Sequence, residues 1–216
     1  MHPNPIFKKA ANRQNIKFTQ FRGFGTLAIN APNPGEADET SIVGPMISHI
    51  PFVLDDTGEH LLAHLVRSNP MVKALENETP SVIAVTGPDS YISPDWYKFD
   101  DQVPTWNYVA VHLRGMIKRV PDENLPEILN QLSRQFEQRL APKPEWHKDK
   151  MDQQALDRMM KMIVPISMQI STIEGTWKLS QNKSDEARKN AASMVMTDGI
   201  GTEREELACL MFDPPC

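Results

Sequence analysis

Residues 87–115 read GPDSYISPDWYKFDDQVPTWNYVAVHLRG, and this stretch decides the fold that the sequence predicts. It holds two of the four tryptophans and all three tyrosines. A turn at Gly87-Pro88 is followed by an extended segment, a Trp96-Tyr97 pair, a second extended segment over 103–108 and an alternating strand over 109–114. Aromatic rings with polar tips, beside Ser, Thr and Asn, can form the wall of a site for a flat ligand with polar edges. A core with a few hydrogen-bonded polar groups explains the same cluster equally well.

The length and composition predict one large domain, or a core domain with a helical appendage. The 216 residues are 40% hydrophobic, which suffices for a core. The formal net charge of −5 argues against a broadly basic surface that binds phosphates, although a local basic patch is compatible with it. No apolar run approaches the ~20 residues of a membrane helix, so we expect no membrane segment. With Cys209 and Cys216 as the only cysteines and no signal-peptide pattern, we expect a cytoplasmic protein.

Short extended segments predominate along the chain, and helical patterns interrupt them. The first helix is expected to end at Gly23, and Thr202 with Glu205 gives the last helix a capping-box pattern. The acidic segment 30–39 predicts an exposed loop. We predict helices over 12–21, 70–76, 125–140, 151–163, 184–193 and 202–212. We predict strands over 24–29, 42–54, 61–66, 81–86, 109–117 and 166–179, with interruptions at Pro45, at Pro51 and at Glu174-Gly175.

This order of elements favours an α+β fold that is mainly β. Strands and helices do not alternate, so a doubly wound parallel sheet is not expected. No G-x-G-x-x-G follows a strand and no G-x-x-x-x-G-K-[ST] occurs, so the common dinucleotide and nucleotide motifs are missing. The sequence therefore predicts a small β-barrel with helices packed on it.

One segment, Arg67-Ser68-Asn69-Pro70, closes a strand and precedes a short helix that carries Lys73. Ser68 or Asn69 can cap this helix, whose first position suits Pro70. Free helix-end N–H groups, a hydroxyl and a guanidinium together make a corner suited to an anion. An ordinary capped helix with a surface arginine is the simpler interpretation of the same residues.

Two histidines, His60 and His64, lie four residues apart on a predicted strand and therefore share a face. Such a pair can suggest a metal site, but no carboxylate or cysteine follows at a supporting spacing. Neutral, hydrogen-bonded histidines are commoner than metal ligands, so we predict no metal.

Five blocks of sequence together carry a resemblance to a known family. Two of them, GP-x-x-YISP-x-WY and VPTWNY-x-x-VH-x-x-G, lie in the stretch quoted first. The others are SHIPF at 48–52, HLVRSNP at 64–70 and KLSQN at 178–182. The chain resembles the PaiB-like family, the FMN-binding negative transcriptional regulators, over most of its length. This resemblance implies a flavin-binding split β-barrel that forms a homodimer, with FMN at the subunit interface.

The resemblance also implies which residues hold FMN. Residues 67–73 are expected at the phosphate, because guanidinium and helix-end donors match a dianion. Residues 48–49 are expected at the edge of the isoalloxazine, and residues 105–107 are expected to stack on the ring or close over it from the neighbouring subunit. Further polar contacts are expected from residues 178–182. The predicted cofactor site comprises Ser48, His49, His64, Arg67, Ser68, Asn69, Lys73, Thr105, Trp106, Asn107, Lys178 and Gln181.

The expected organisation is a split-barrel domain over 1–193, with a helical insertion at about 122–163, and a helical tail over 194–216. The expected function is negative regulation of transcription through a flavin-bound dimer, with DNA or a regulatory protein as partner. No helix-turn-helix pattern supports direct DNA contact, and the helices over 125–140 and 151–163 carry acids as well as bases. An FMN-dependent oxidoreductase that uses NAD(P)H is the alternative, and a haem-handling barrel is a third interpretation.

Overall fold

The computed structural model describes residues 1–30 and 44–215. The acidic loop predicted over 30–39 lies, beyond Asn30, outside these residues, as does the beginning of the strand predicted from residue 42. Among the described residues, every helix falls short of the length and apolarity needed to cross a membrane.

Strands and helices follow the predicted order closely. The α-helices are α1 (Asn12–Arg22), α2 (Met71–Ala74), α3 (Leu125–Glu137), α4 (Gln153–Met160), α5 (Asp185–Asp198) and α6 (Arg204–Phe212). The strands are β1 (Phe24–Ile29), β2 (Met46–Leu54), β3 (His60–Val66), β4 (Thr79–Ile92), β5 (Thr105–Arg119) and β6 (Ile163–Lys178). Short 3-10 helices lie at Pro5–Lys8, Pro94–Tyr97, Asp122–Asn124, Gln138–Leu140 and Lys148–Lys150.

The strands are hydrogen-bonded in the order β1-β2-β3-β6-β5-β4 and close into a barrel. Strand β1 pairs antiparallel with β2 and β4, and β3 pairs antiparallel with β2 and β6. The register places Phe24 opposite Pro51 and Val66 opposite Ile163. The predicted α+β fold with a small barrel as its main part is therefore confirmed.

The chain forms two compact units, and strands β4, β5 and β6 each contribute to both. The central unit comprises residues 19–84 and 113–172, and the terminal unit comprises residues 1–18, 85–112 and 173–216. In the central unit, alternate residues of β3 fill the core, since Leu61, Ala63 and Leu65 are buried. Helix α3 contacts β2 and β3 and buries the apolar stripe that predicted it.

In the terminal unit, α5 packs against α6 and against the 3-10 helix Pro94–Tyr97. Small buried residues such as Ala191 and Ala208 allow the helices to approach closely. Helix α5 begins as predicted, because the Ser184 hydroxyl accepts a hydrogen bond from the N–H of Ala187 at 3.2 Å.

Two glycine signals that predicted turns were wrong. Gly87 lies inside β4, where a Cβ atom would come within 2.7 Å of the Phe18 ring and 3.1 Å of Val109. Gly175 lies inside β6, where a Cβ atom would come within 2.1 Å of the Asn15 side-chain oxygen. Both glycines therefore allow close packing within continuous strands rather than a change of chain direction. Strand β2 likewise continues through Pro51, where we predicted a break.

The capping box predicted for the last helix is also wrong. Helix α6 begins after Glu203, which has a left-handed backbone with φ of 50°, and no side chain caps it. The backbone N–H and hydroxyl of Thr202 instead donate to the Asp89 carboxylate at 3.0 and 3.1 Å. Thr202 therefore fastens the loop before α6 to β4 of the same unit.

Candidate functional site

A fixed guanidinium marks the anion-binding corner that the sequence predicts in the central unit. Arg67 follows β3, and its Nε donates to the Lys161 carbonyl at 2.8 Å. Its Nη2 donates to the Ile163 carbonyl at 3.1 Å and to the Asp122 carboxylate at 2.9 Å. Nη1 makes no hydrogen bond within the described ranges 1–30 and 44–215. The guanidinium is therefore held in place with one NH₂ group available to a ligand.

A second arginine, which the sequence reasoning missed, completes this cluster. Arg119 at the end of β5 donates to the other oxygen of Asp122 at 2.8 Å, and its backbone N–H donates to the Leu75 carbonyl at 2.7 Å. Hydrogen bonds from Arg119 and then Arg67 hold the pKa of the Asp122 carboxyl below its usual range. Because two guanidinium groups share one carboxylate, the cluster keeps a net charge of +1.

The short helix beside this cluster is smaller than predicted. We predicted a helix over 70–76 with free N–H groups, but α2 is only the four residues Met71–Ala74. The Asn69 side-chain oxygen accepts from the Met71 N–H at 2.9 Å, and the Asn69 carbonyl accepts from the Val72 N–H at 3.0 Å. The N–H groups of Met71 and Val72 are therefore not free, contrary to the prediction, and the exposed side chains of Ser68, before α2, and Lys73, within it, are available to an anion.

Two further predicted residues lie on β2. The Asn69 amide donates to the Ser48 hydroxyl at 3.2 Å, so the fold brings these two residues together although 21 positions separate them. His49 lies on the opposite face of the strand and is exposed. Its ring stacks on Phe24 of β1 with 6.4 Å between the ring centroids. The exposed residues Phe24 and Ile47 share this outer face of the β1–β2 pair.

His64 contributes to a different feature of the central unit. It lines an open cavity of about 750 Å³ that is bordered by α3, α4 and the segment 145–151. Its Nδ1 is sealed from solvent and has no hydrogen-bond partner among the described residues. Burial lowers the pKa of the imidazole below its ordinary value. The described residues contain no group of three or more His, Cys, Asp and Glu side chains that could hold a metal ion.

Lys178 organises the surface of the terminal unit that the sequence predicts. Its ammonium group donates to the Thr105 hydroxyl and, at 2.7 Å, to the Trp106 carbonyl. Burial lowers the pKa of this amine. The Trp106 ring is half exposed and meets Tyr91 edge to face at 6.2 Å. Thr105, Trp106 and Lys178 are therefore brought together as one polar and aromatic surface.

Two other predicted residues of this unit are occupied by internal bonds. Asn107 is fully buried; its amide nitrogen donates to the Ser180 hydroxyl at 2.8 Å, and its Oδ1 has no partner among the described residues. Ser180 also bonds to the buried Tyr97 hydroxyl at 2.9 Å and has a left-handed backbone with φ of 64°. Gln181 accepts from the Leu179 N–H at 2.8 Å and donates to the Trp177 carbonyl at 2.5 Å. Asn107 and Gln181 therefore stabilise the chain after β6.

Comparisons with known proteins show which family the sequence matches. A family model described as "Putative FMN-binding domain" matches residues 1–172. Over 212 residues the chain is 26% identical to the protease synthase and sporulation protein PAI 2 of Bacillus subtilis, with 97% of this chain and 96% of that protein covered.

Two solved structures have a similar fold. The FAD and heme binding protein from Mycobacterium smegmatis matches with a TM-score of 0.55 and 15% identity, covering 83% of this chain and 77% of that one. The conserved hypothetical protein Rv2991 from Mycobacterium tuberculosis matches with a TM-score of 0.52 and 13% identity, covering 82% and 91%. At these identities the likeness shows the fold alone, which is that of the flavin-binding split barrel.

Proposed function

Because the chain belongs to the PaiB-like family of FMN-binding split-barrel proteins, we propose that it holds FMN and acts as a flavin-bound dimer in the negative regulation of transcription. The arginine pair of the central unit is the observation that carries the flavin part of this proposal. Two guanidinium groups on one carboxylate leave a net positive charge, and one NH₂ of Arg67 is available. A phosphate is the part of FMN that such a site binds best.

The residues around the arginine pair fit a phosphate. Ser68 adds a hydroxyl and Lys73 adds an ammonium group, and both residues are exposed. Asn69 is less available, because both ends of its amide are bonded to Ser48 and to the Met71 N–H. We therefore assign the phosphate to Arg67, Ser68, Lys73 and Arg119, and we assign to Asn69 the role of holding the turn in shape.

For the flavin ring we propose the Trp106 surface of a neighbouring copy. Trp106 presents a large exposed aromatic face, and Lys178 is fixed beside it by Thr105 and the Trp106 carbonyl. Bound flavin supplies one- and two-electron redox chemistry, and a cation near the ring favours its reduced, anionic form. The exposed apolar residues Phe24 and Ile47 on β1 and β2 suit burial against a second copy.

We propose that regulation acts through the state of the flavin or through a protein partner. The net charge of −5 does not favour a surface that holds DNA by its phosphates. A mobility-shift assay at physiological salt, with the FMN oxidised and then reduced, tests this point. A shift that is independent of flavin state and survives the salt would contradict it and indicate direct DNA binding.

The flavin assignment is tested by titrating the flavin-free protein with FMN, FAD and riboflavin and following the quenching of flavin fluorescence. Riboflavin lacks the phosphate, so Arg67→Lys and Lys73→Ala should weaken FMN binding about tenfold, ~1.4 kcal/mol, and leave riboflavin binding unchanged. Lys17→Ala, an exposed lysine of α1, is the matched control. Equal losses for FMN and riboflavin would remove the phosphate assignment, and a protein that binds none of the three flavins would remove the cofactor.

The second candidate function is an FMN-dependent oxidoreductase that uses NAD(P)H. The half-buried amine of Lys178 favours it, because a cation placed beside a flavin raises its tendency to accept electrons. Anaerobic addition of NADH or NADPH to the FMN-loaded protein should then bleach the flavin absorbance. A flavin that stays oxidised with both nucleotides would exclude this candidate.

A further inference from the structure

The cavity of the central unit has the size and lining of a small-molecule site. Its volume is about 750 Å³, and ligand pockets typically measure ~300–1,000 Å³. Eleven of its nineteen lining residues have aliphatic, aromatic or thioether side chains, and the other eight are polar or charged. The apolar lining residues are Pro51, Pro126, Leu129, Leu132, Phe136, Trp146, Met151, Leu156, Met159, Met160 and Ile163.

The apolar residues that α4 contributes to this lining are not buried by the rest of the described chain. The helix has an apolar face that includes Leu156, Met159 and Met160, yet none of its residues is buried. Met159 is 57% exposed. An amphipathic helix on a globular protein normally buries this face, as α3 does with Leu125, Ile128 and Leu132. The apolar face of α4 instead forms one wall of the cavity.

A polar atom inside the cavity is available to a ligand. His64 lines the cavity, and its Nδ1 is buried without a hydrogen-bond partner among the described residues, which leaves Nε2 as the nitrogen that we assign to a ligand. No hydrogen bond from this imidazole reaches a described residue. A ligand that bonds to Nε2 would give this imidazole a hydrogen bond that the described chain does not provide, although Nδ1 would stay without a partner.

The charges at the cavity balance one another. Arg134 and Lys148 contribute two positive charges, and Glu145 and Asp149 contribute two negative charges. A net charge of zero gives no electrostatic advantage to an anion, in contrast to the Arg67–Arg119 pair. Three methionines in the wall, with flexible and polarisable side chains, adapt to ligands of different shape.

We propose that this cavity is a second ligand site, separate from the flavin site, for an uncharged and largely apolar molecule with one polar group that bonds to His64 Nε2. Aromatic compounds of moderate size are the class that Phe136, Trp146 and the methionines suit best. The proposal does not depend on FMN binding, because its lining residues differ from those assigned to the phosphate and to the ring, and His64, which the sequence placed in the cofactor site, is assigned to the cavity instead.

Nile red, an uncharged fluorescent dye of suitable size, is the probe for this site. We expect saturable binding of one dye per chain, with a rise in emission, in the flavin-free protein and equally in protein saturated with FMN. The anionic dye 8-anilinonaphthalene-1-sulfonate should bind at least about tenfold more weakly, because the cavity has no net positive charge to offset desolvation of the sulfonate.

Two exposed methionines provide a matched pair of variants. Met159 lines the cavity and is 57% exposed, whereas Met162 is 62% exposed and is not among the lining residues. Met159→Lys should weaken Nile red binding about tenfold, because a charge enters an apolar wall. Met162→Lys should leave binding unchanged, and both variants should fold because neither side chain is buried.

His64→Leu should retain the dye but shift its emission to the blue, since the dye carbonyl loses its hydrogen bond.

The possible results decide the proposal. Loss of the dye in Met159→Lys but not in Met162→Lys, with and without FMN, supports it. Equal effects of the two variants, or no saturable binding, overturn it. Displacement of the dye by FMN overturns the separation of the two sites. If Met159→Lys changes the oligomeric state measured by sedimentation, a second copy covers α4 and the cavity is not a ligand site.

Discussion

Two regions of the molecule place their buried polar groups in different surroundings. In the terminal unit, Asn107, Ser180 and Tyr97 bond to one another in the core. In the central unit, His64 lies at the wall of a cavity, and its sealed Nδ1 has no partner among the described residues. Oδ1 of Asn107 is also buried without a partner among the described residues, but it lies in a packed core, whereas His64 lies beside open space that can hold a ligand. The first region should therefore respond to mutation in stability and the second in binding.

The largest effect on stability is expected from a matched pair of asparagines. Asn107→Leu removes the amide that bonds to Ser180 and places an apolar group among buried polar ones, so the free energy of unfolding should fall by about 2–3 kcal/mol. Asn130→Leu, an exposed residue of the cavity wall, should change it by less than about 0.5 kcal/mol. Urea denaturation measures both values. Similar losses for the two variants would break the distinction between the regions.

A smaller effect is expected from a matched pair of serines. Ser180→Ala leaves the buried Tyr97 hydroxyl without its partner and should cost about 1–2 kcal/mol. Ser133→Ala in the cavity wall should be nearly neutral in stability. Thermal unfolding followed by circular dichroism compares the two. A neutral Ser180→Ala variant would show that the Tyr97–Ser180–Asn107 network does not stabilise the terminal unit.

The sequence predicted those parts of the fold in which a local pattern reports burial directly. Strand β3 alternates between buried and half-buried residues as its sequence indicates, and α3 buries the stripe that predicted it. Gly87 and Gly175 misled because a glycine signal does not distinguish a turn from a close contact with Phe18 or Asn15. The distant partners that explain these glycines are set by the fold and leave no local signal.

The candidate site also contains residues that the sequence could predict and residues that it could not. Arg67, Ser68 and Lys73 could be found because they lie in one short segment of suitable chemistry. Arg119 could not be found, because the carboxylate that links it to Arg67 is identified only when the chain is folded. The cavity was also missed, since the apolar stripe of α4 reads the same in sequence whether the fold buries it or leaves it open.

The smallest expected effect is the contribution of His64 to the pH dependence of the free energy of unfolding. It is also the effect that tests the cavity most directly. Burial lowers its pKa below the ordinary value of 6.5, so the unfolded chain binds the proton more readily than the folded one. The stability that the neutral, buried imidazole contributes is therefore fully present above the unfolded pKa of 6.5. It is lost as the pH falls from 6.5 through the folded pKa. His64→Gln should therefore lose less stability than the wild type on acidification from pH 7 to pH 5, by no more than ~1.4 kcal/mol per pH unit, the limit for one proton. Urea denaturation at several pH values measures the slopes, and NMR titration of the imidazole assigns the proton. A pKa of 6.5 or higher for this imidazole in the folded chain would contradict its burial at the cavity wall.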